Sequence, residues 1–170
     1  MMKKVVIGLV ITVVVGIALF ILYVYMVLAP KQSDVSNIAP FAELMSQPVT
    51  TIKETIIITY PSVPPDEDYA YYLEDGSGFG MEKSLQVLAE LPIGTKVNFD
   101  KVTLITGGVS GTTAAYLFGT VFSEEKQKSY NIFYNWGEYR SLYQDQPYWF
   151  FGETFWLDKP LEKKYFIEVP

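Results

Sequence analysis

An unbroken apolar segment near the start of the chain most constrains what this protein can fold into. Residues Val5–Ala29 carry no charged side chain, and only four residues, among them Lys3 and Lys4, precede them. A helix of that length extends roughly 37 Å, which exceeds the ~30 Å hydrocarbon core of a bilayer. The segment is therefore predicted to be a transmembrane helix.

A cleaved signal peptide is the alternative interpretation, because Val27-Leu28-Ala29 fits the small-residue pattern of a cleavage site. The apolar core of a signal peptide typically has ~7 to 15 residues, and this segment is far longer. Pro30 would also be the first residue after the cut, where its ring and missing N–H suit a protease poorly. We therefore expect the segment to be retained as an anchor.

The charges beside the segment predict its orientation. Lys3 and Lys4 precede its N-terminal end, whereas Lys31 at the other end is soon followed by Asp34. The positive-inside rule then places the N-terminus in the cytoplasm. We expect a single-pass protein of the bacterial inner (cell) membrane, with a signal-anchor helix and a periplasmic or extracellular C-terminal domain.

Small residues recur on one face of the predicted helix. Gly8, Thr12 and Gly16 are spaced every four residues, which lets a second transmembrane helix approach closely. They are our candidate helix-packing residues. Small residues are also frequent in spanning helices that do not associate, and this alternative stays open.

Charge and composition limit the possible partners and chemistry of the exported part. Without Lys3 and Lys4 the chain has a net charge of −8, which argues against nucleic acid and against anionic headgroups as partners. With no histidine and no cysteine, serine triads, thiol nucleophiles, disulfides and the common zinc sites are excluded. We therefore predict no cofactor, no metal site and no catalytic residue.

A carboxylate pair is the one enzymatic alternative. Glycoside hydrolysis needs only two carboxyl groups that flank a sugar bond. Four acidic residues lie among aromatic residues near the C-terminus, but their spacing selects no pair: Glu138, Asp145, Glu153 and Asp158. A small glycan hydrolase is the weakest of the functions that we consider.

The sequence divides into three parts. Residues 1–30 form the cytoplasmic tip and transmembrane helix, and residues 50–170 form an extracytoplasmic β domain. Residues 31–49 are predicted to be a polar linker that holds the domain away from the bilayer. Within the linker, Pro40 suits the first turn of a short helix capped by Ser36 or Asn37.

Short apolar or alternating segments, separated by glycine-rich or charged turns, predict a mainly β domain. Leu85–Leu91 fits a helix or a strand, and strand is preferred because strands flank it. The other predicted strands are Thr51–Tyr60, Tyr69–Leu73, Thr95–Ile105, Thr113–Ser123, Ser129–Trp136, Tyr148–Trp156 and Tyr165–Val169. This pattern indicates a small antiparallel barrel or sandwich. Its core candidates are Val97, Phe99, Val102, Leu104, Tyr116, Phe118, Val121 and Phe133.

Part of this region resembles a known family. Leu91–Phe99 resembles the opening turn and strand of bacterial Src-homology-3-like domains, and Phe118–Phe122 and Tyr134–Gly137 resemble later strands of such barrels. The resemblance covers residues ~85–137. It implies a small β-barrel that binds cell-wall peptides or peptide partners, or that is purely structural.

Aromatic density is the feature with the best claim to function. Twelve aromatic residues lie between Tyr130 and Trp156, and alternation in a strand directs only about half of such rings to one face. Exposed tyrosine and tryptophan are common anchors of interfaces. Our candidate partner-binding residues are Tyr143, Tyr148, Trp149, Phe151 and Trp156. A core filled with rings and covered by the C-terminal residues is the alternative.

These features predict a membrane-anchored binding or scaffold module without enzymatic activity, which recognises a protein or another cell-envelope partner. An anchored inhibitor or immunity-type protein is the main alternative, because an acidic surface favours a basic partner. Association of two copies through the transmembrane helix is also possible in this scheme.

Overall fold

The computed structural model describes residues 2–59, 63–75 and 86–170 and, within the first helix, the side chains of residues 7, 8 and 11–28. Tyr60 and Leu85, which are terminal residues of two predicted strands, and the side chains of Lys3 and Lys4 lie outside this part. The described elements are α1 (Met2–Leu28), β1 (Lys31–Asp34), α2 (Phe41–Ser46), β2 (Val49–Thr50), β3 (Thr55–Thr59), β4 (Tyr71–Glu74), β5 (Val87–Leu91), β6 (Lys96–Thr106), β7 (Thr113–Ser123), β8 (Lys128–Arg140) and β9 (Tyr148–Phe150).

The first helix, α1, is long and apolar enough to cross a membrane. Almost all of its described side chains are exposed, so the domain does not bury it. The predicted N-terminal apolar helix is therefore confirmed as a helix that meets the requirements of a membrane span. Its retention and its orientation stay predictions, because a signal sequence meets the same requirements.

The described strands form one open sheet in the order β1-β6-β7-β8-β4-β3-β5, with β2 beside β6 and β9 beside β8. All pairs are antiparallel except β4 and β8, which are parallel. The predicted mainly β fold is confirmed. The predicted closed barrel is wrong, because no ladder joins β5 to β1 among the described strands. The alternative, a sandwich, requires two sheets, whereas the described strands form one.

Three long strands form the centre of the sheet. The hairpins β6–β7 and β7–β8 follow the predicted strands closely, and β5 shows that Val87–Leu91 is a strand rather than a helix. The predicted strand Tyr148–Trp156 is reduced to the three residues of β9. Residues 151–170 instead form an irregular C-terminal tail, which joins the sheet through a single bridge between Trp149 and Tyr165.

The segment predicted as a linker is part of the folded domain. β1 pairs with the end of β6, and the Val102 backbone N–H donates a hydrogen bond of 2.9 Å to Ser36 Oγ. α2 confirms the predicted short helix, but Pro40 is its N-cap residue and no side chain caps it. Phe41 is fully buried. The spacer role predicted for residues 31–49 is therefore wrong.

Two faces of the sheet bury apolar side chains. The main core contains five of the predicted core residues: Val97, Phe99, Val102, Leu104 and Val121. Phe118 and Phe133 are also buried, but they lie outside that core in a second cluster beside Tyr69, Tyr72 and Tyr116. Tyr116 is only half-buried. The prediction placed residues of both strand faces in one core, although neighbouring residues of a strand point to opposite faces.

A lysine covers this second cluster. Lys101 Nζ lies 4.8 Å from the centre of the Phe118 ring and 2.7 Å from Asp66 Oδ2. The ammonium group of Lys101 lowers the pKa of the Asp66 carboxyl, and Asp66 in turn raises the pKa of Lys101. The ion pair therefore fastens the loop before β4 to the middle of β6.

Phe41→Ala is expected to lower the free energy of unfolding of residues 31–170 by about 3 to 5 kcal/mol, because it removes a fully buried ring. Urea denaturation measures the change. Ile38→Ala, at an exposed site of the same segment, is the control and should change stability by less than ~0.5 kcal/mol. Equal effects of the two variants would contradict the burial of this segment.

Asp66→Asn is expected to lower the free energy of unfolding by roughly 1 kcal/mol at neutral pH, the upper end for a half-exposed ion pair. Folding lowers the pKa of Asp66 below its ordinary value of 3.8, so the stabilisation is present above that pH and is lost as the pH falls through the folded value. Urea denaturation from pH 7 to pH 3 follows the loss. Glu67→Gln, with the same charge change at an exposed position, is the control and should change the free energy of unfolding by less than ~0.5 kcal/mol at neutral pH.

Candidate functional site

The five aromatic residues predicted to bind a partner do not form one surface. Tyr143 is fully exposed, whereas Tyr148 and Trp156 are half-buried. Trp149 and Phe151 are both completely buried. The prediction that these rings form one exposed patch is therefore wrong for Trp149 and Phe151.

Alternation in β9 and the C-terminal tail together explain this burial. Trp149 and Phe151 point towards the core, where Trp149 Nε1 donates a hydrogen bond of 3.1 Å to the carbonyl oxygen of Ile167. Gly137, with a φ of 113°, allows this packing, because a Cβ atom there would collide with the Phe151 ring. Tyr148 lies on the other side, where Lys164 Nζ is 4.3 Å from its ring centre. The C-terminal tail thus covers the rings of Trp149 and Phe151, which in a sandwich would be covered by a second sheet.

Trp156 lies at the wall of a groove beside α2. Its ring packs on Trp136 at 5.1 Å and on Phe155 at 4.6 Å between centres, so most of its area belongs to the core. The groove has a volume of about 470 Å³ and is lined mainly by apolar side chains of α2, β2 and the tail. This arrangement is a partly exposed extension of the core.

A larger groove, which we call the β5 groove, runs along the last strand of the sheet. It has a volume of about 580 Å³ and lies between β5 and the turn that joins β7 to β8. Its lining combines exposed carboxylates with apolar side chains: Glu54, Thr55, Ile56, Val87, Glu90, Leu91, Pro92 and Glu125.

The strand order explains why a groove forms here. β5 is the last strand of the described sheet and pairs only with β3 among the described strands. β5 and β7 approach each other, but no ladder joins them among the described strands. An edge strand presents backbone N–H and C=O groups to an extended chain. One edge of β5 thus has no strand partner among the described residues.

Glu125 already uses part of this edge. Its carboxylate accepts a hydrogen bond of 2.6 Å from Lys126 Nζ, which lowers the pKa of Glu125, and a hydrogen bond from the Glu90 backbone acts in the same direction. Glu54, Glu90 and Glu125 are all exposed. Three carboxylates around an apolar floor favour a ligand that carries both apolar and basic side chains.

Of the four carboxylates considered for glycan hydrolysis, two each form an ion pair with a basic residue and the other two are exposed. Glu138 Oε2 is 2.8 Å from an Arg140 guanidinium nitrogen, and Glu153 Oε2 is 3.9 Å from Lys53 Nζ. Asp145 and Asp158 are exposed. In the part of the chain that the structure describes, no group of acidic residues is arranged to hold a metal ion.

The predicted helix-packing residues lie along the exposed surface of α1. Thr12 Oγ1 donates a hydrogen bond of 3.0 Å to the carbonyl oxygen of Gly8, so the hydroxyl donor is satisfied within the helix. A Cβ atom at Gly8 or Gly16 would meet nothing within 4 Å. The face is thus open to a neighbouring helix, and helix association stays a prediction.

Comparisons with protein-family models, with curated proteins and with solved structures give no match to this chain. The Src-homology-3-like resemblance therefore stays a prediction. Only the geometry of the described residues supports a choice of function.

The β5 groove was missed in the sequence because it contains no aromatic cluster. Val87–Leu91 reads as one short strand among several, and its position at a sheet edge depends on the parallel pairing of β4 with β8. The one available signal was Glu54 and Glu90 beside apolar residues of two predicted strands. Such carboxylates are normal on any solvated strand face, so they do not distinguish a site.

Trp149→Ala is expected to lower the free energy of unfolding by about 3 to 5 kcal/mol, because the ring is fully buried. Tyr143→Ala should stay within ~0.5 kcal/mol of the natural protein. Chemical denaturation of residues 31–170 compares the two. If Trp149→Ala were as stable as the natural protein, Trp149 would have to be a surface residue, which contradicts the observed packing.

Proposed function

We propose that this protein is a single-pass, membrane-anchored binding module without enzymatic activity, whose extracytoplasmic domain takes up an extended segment of a partner protein in the β5 groove. The observation that carries the proposal is an apolar groove at an edge strand, bordered by three carboxylates. Addition of a peptide strand to a sheet edge is a common mode of recognition, in which backbone hydrogen bonds give affinity and side-chain pockets give specificity.

The anchor is supported by α1. This helix is exposed, apolar and long enough to span a bilayer, and Lys3 and Lys4 favour a cytoplasmic N-terminus. A domain that follows such a helix after two residues, Ala29 and Pro30, stays close to the membrane surface. Partner capture then occurs at the outer face of the inner membrane.

The chemistry of the partner follows from the lining of the groove. Ile56, Val87 and Leu91 provide apolar contacts, whereas Glu54 and Glu90 add negative charge and the third carboxylate, that of Glu125, is paired with Lys126. The net charge of −8 outside the N-terminal tip adds a long-range attraction for basic segments. We infer an extended peptide in which lysine or arginine alternates with apolar residues.

The same acidic groove supports a second candidate, an anchored inhibitor or immunity-type protein that neutralises a basic partner. Both functions use the same contacts. They differ in the consequence, because an inhibitor abolishes an activity of the captured protein whereas a scaffold leaves it intact.

Linear peptides displayed on phage and selected on the full chain in phosphatidylcholine nanodiscs test the proposal. Recovered peptides should alternate apolar and basic residues. Glu54→Gln with Glu90→Gln should weaken their binding roughly two- to fivefold for each carboxylate, as expected for exposed ion pairs. Methylation of the peptide backbone nitrogens that face β5 should abolish binding, because it removes the donors of the added ladder.

The matched control is Glu162→Gln with Glu168→Gln, which removes the same charge from exposed positions in the tail. These changes should leave peptide binding unaltered at physiological salt. If both double variants weaken binding equally, only net charge is involved and the β5 groove is not the site. Peptides without basic residues would contradict the proposed partner chemistry.

A further inference from the structure

The end of the sheet next to α1 is held close to the helix. Lys31, the first residue of β1, pairs with Thr106 at the end of β6, so only Ala29 and Pro30 separate α1 from the sheet. The turn between β6 and β7 also contacts the helix end, because a Cβ atom at Gly108 would collide with the carbonyl group of Leu28. This end of the domain therefore lies where α1 leaves the bilayer.

Two loops at this end expose apolar side chains. Val109, in the β6–β7 turn, is 85% exposed, and Leu142 and Tyr143, in the β8–β9 loop, are 79% and 102% exposed. The loops are neighbours, since Ser110 and Leu142 line one shallow cleft. We call Val109, Leu142 and Tyr143 the apical residues.

We propose that the apical residues insert into the outer-leaflet interface of the membrane that α1 spans. This inference rests on the proposed anchor. Two connecting residues reach at most about 10 Å, so the β6–β7 turn, which contacts the end of α1, stays at the headgroup region while α1 spans the bilayer, and the β8–β9 loop lies beside that turn. In that region apolar side chains and the amphipathic ring of tyrosine are more favourable than they are in water, to which a soluble domain would expose them.

The charges at this end of the domain give no preference for anionic over uncharged lipid headgroups. Arg140 is paired with Glu138 at 2.8 Å, and its guanidinium group lies 4.1 Å from the Phe150 ring centre. Asp145 is exposed in the same loop as Leu142. Lys31 and Lys164 also lie towards this end, since Lys31 pairs with Thr106 and Lys164 Nζ is 4.3 Å from the ring of Tyr148, the partner of Arg140. Asp34, Glu138 and Asp145 balance these three cations, so the surface offers apolar contact without an uncompensated basic cluster.

The absence of cysteine from the sequence allows a direct test in the full chain. Single variants Val109→Cys, Leu142→Cys and Tyr143→Cys are labelled with an environment-sensitive fluorophore and reconstituted into phosphatidylcholine vesicles. Lipids with a quencher near the headgroup should quench each label by more than about twofold, as expected for side chains ~5 to 10 Å inside the interface. Adding anionic lipid should not increase the effect.

Two control labels make the outcomes distinct. Val63→Cys is the matched control, because Val63 is also 85% exposed but lies in the loop whose Asp66 pairs with Lys101, away from the β6–β7 turn. Leu19→Cys reports on α1 itself and should be quenched by lipids labelled at the acyl chain. Quenching at the apical positions and at Leu19, with none at Val63, supports the proposal.

Other results overturn it in recognisable ways. Quenching at Leu19 without quenching at the apical positions overturns membrane contact of the loops and leaves the anchor intact. No quenching at Leu19 overturns the anchor of the proposed function, and with it this inference. Equal quenching at Val63 and Val109 overturns a specific orientation. Circular dichroism of each labelled variant verifies that the domain is folded.

Discussion

Burial of Trp149 is the interaction on which the domain depends. The ring is inaccessible to solvent, its indole N–H donates to the Ile167 carbonyl oxygen, and its backbone N–H donates to that of Tyr165 at 2.7 Å. A buried indole requires such a partner. Because the chain has no cysteine, no disulfide can hold an irregular tail over an open sheet. This packed tryptophan provides that attachment and replaces the second sheet of a sandwich.

Local pattern was sufficient to predict the central strands. β7 matches its predicted range Thr113–Ser123, because an alternating apolar run is bounded there by a glycine-rich turn and a charged turn. The same logic failed after Phe150, where the Leu161 backbone N–H donates to the Phe151 carbonyl oxygen and draws the tail across the core. Strand propensity is a weak preference that such non-local contacts override.

Non-local pairing also decided the features that the sequence did not reveal. Phe41 is one aromatic residue in a polar segment, and its burial depends on the rings of Trp136 and Phe151 from the far end of the chain. The β5 groove exists because β4 joins β8 in parallel and leaves β5 at the edge. Neither the burial of Phe41 nor the edge position of β5 can be predicted from the periodicity of the segment that contains it. The aromatic prediction failed for the same reason: the sequence does not show which segment covers which face, and for Trp149 and Phe151 the alternative, a core of rings covered by the C-terminal residues, is the one that the structure has.

With α1 as the membrane anchor that we propose, the two ends of β7 separate the membrane from the groove. Thr113 lies beside the turn that contacts the end of α1, whereas Ser123 leads into the turn that contains Glu125, roughly 30 Å away along the strand. That distance is several times the ~8 Å Debye length at physiological salt. In the proposed arrangement the carboxylates of the groove are thus screened from lipid headgroups, and their field extends into the solution from which the proposed basic segment would approach.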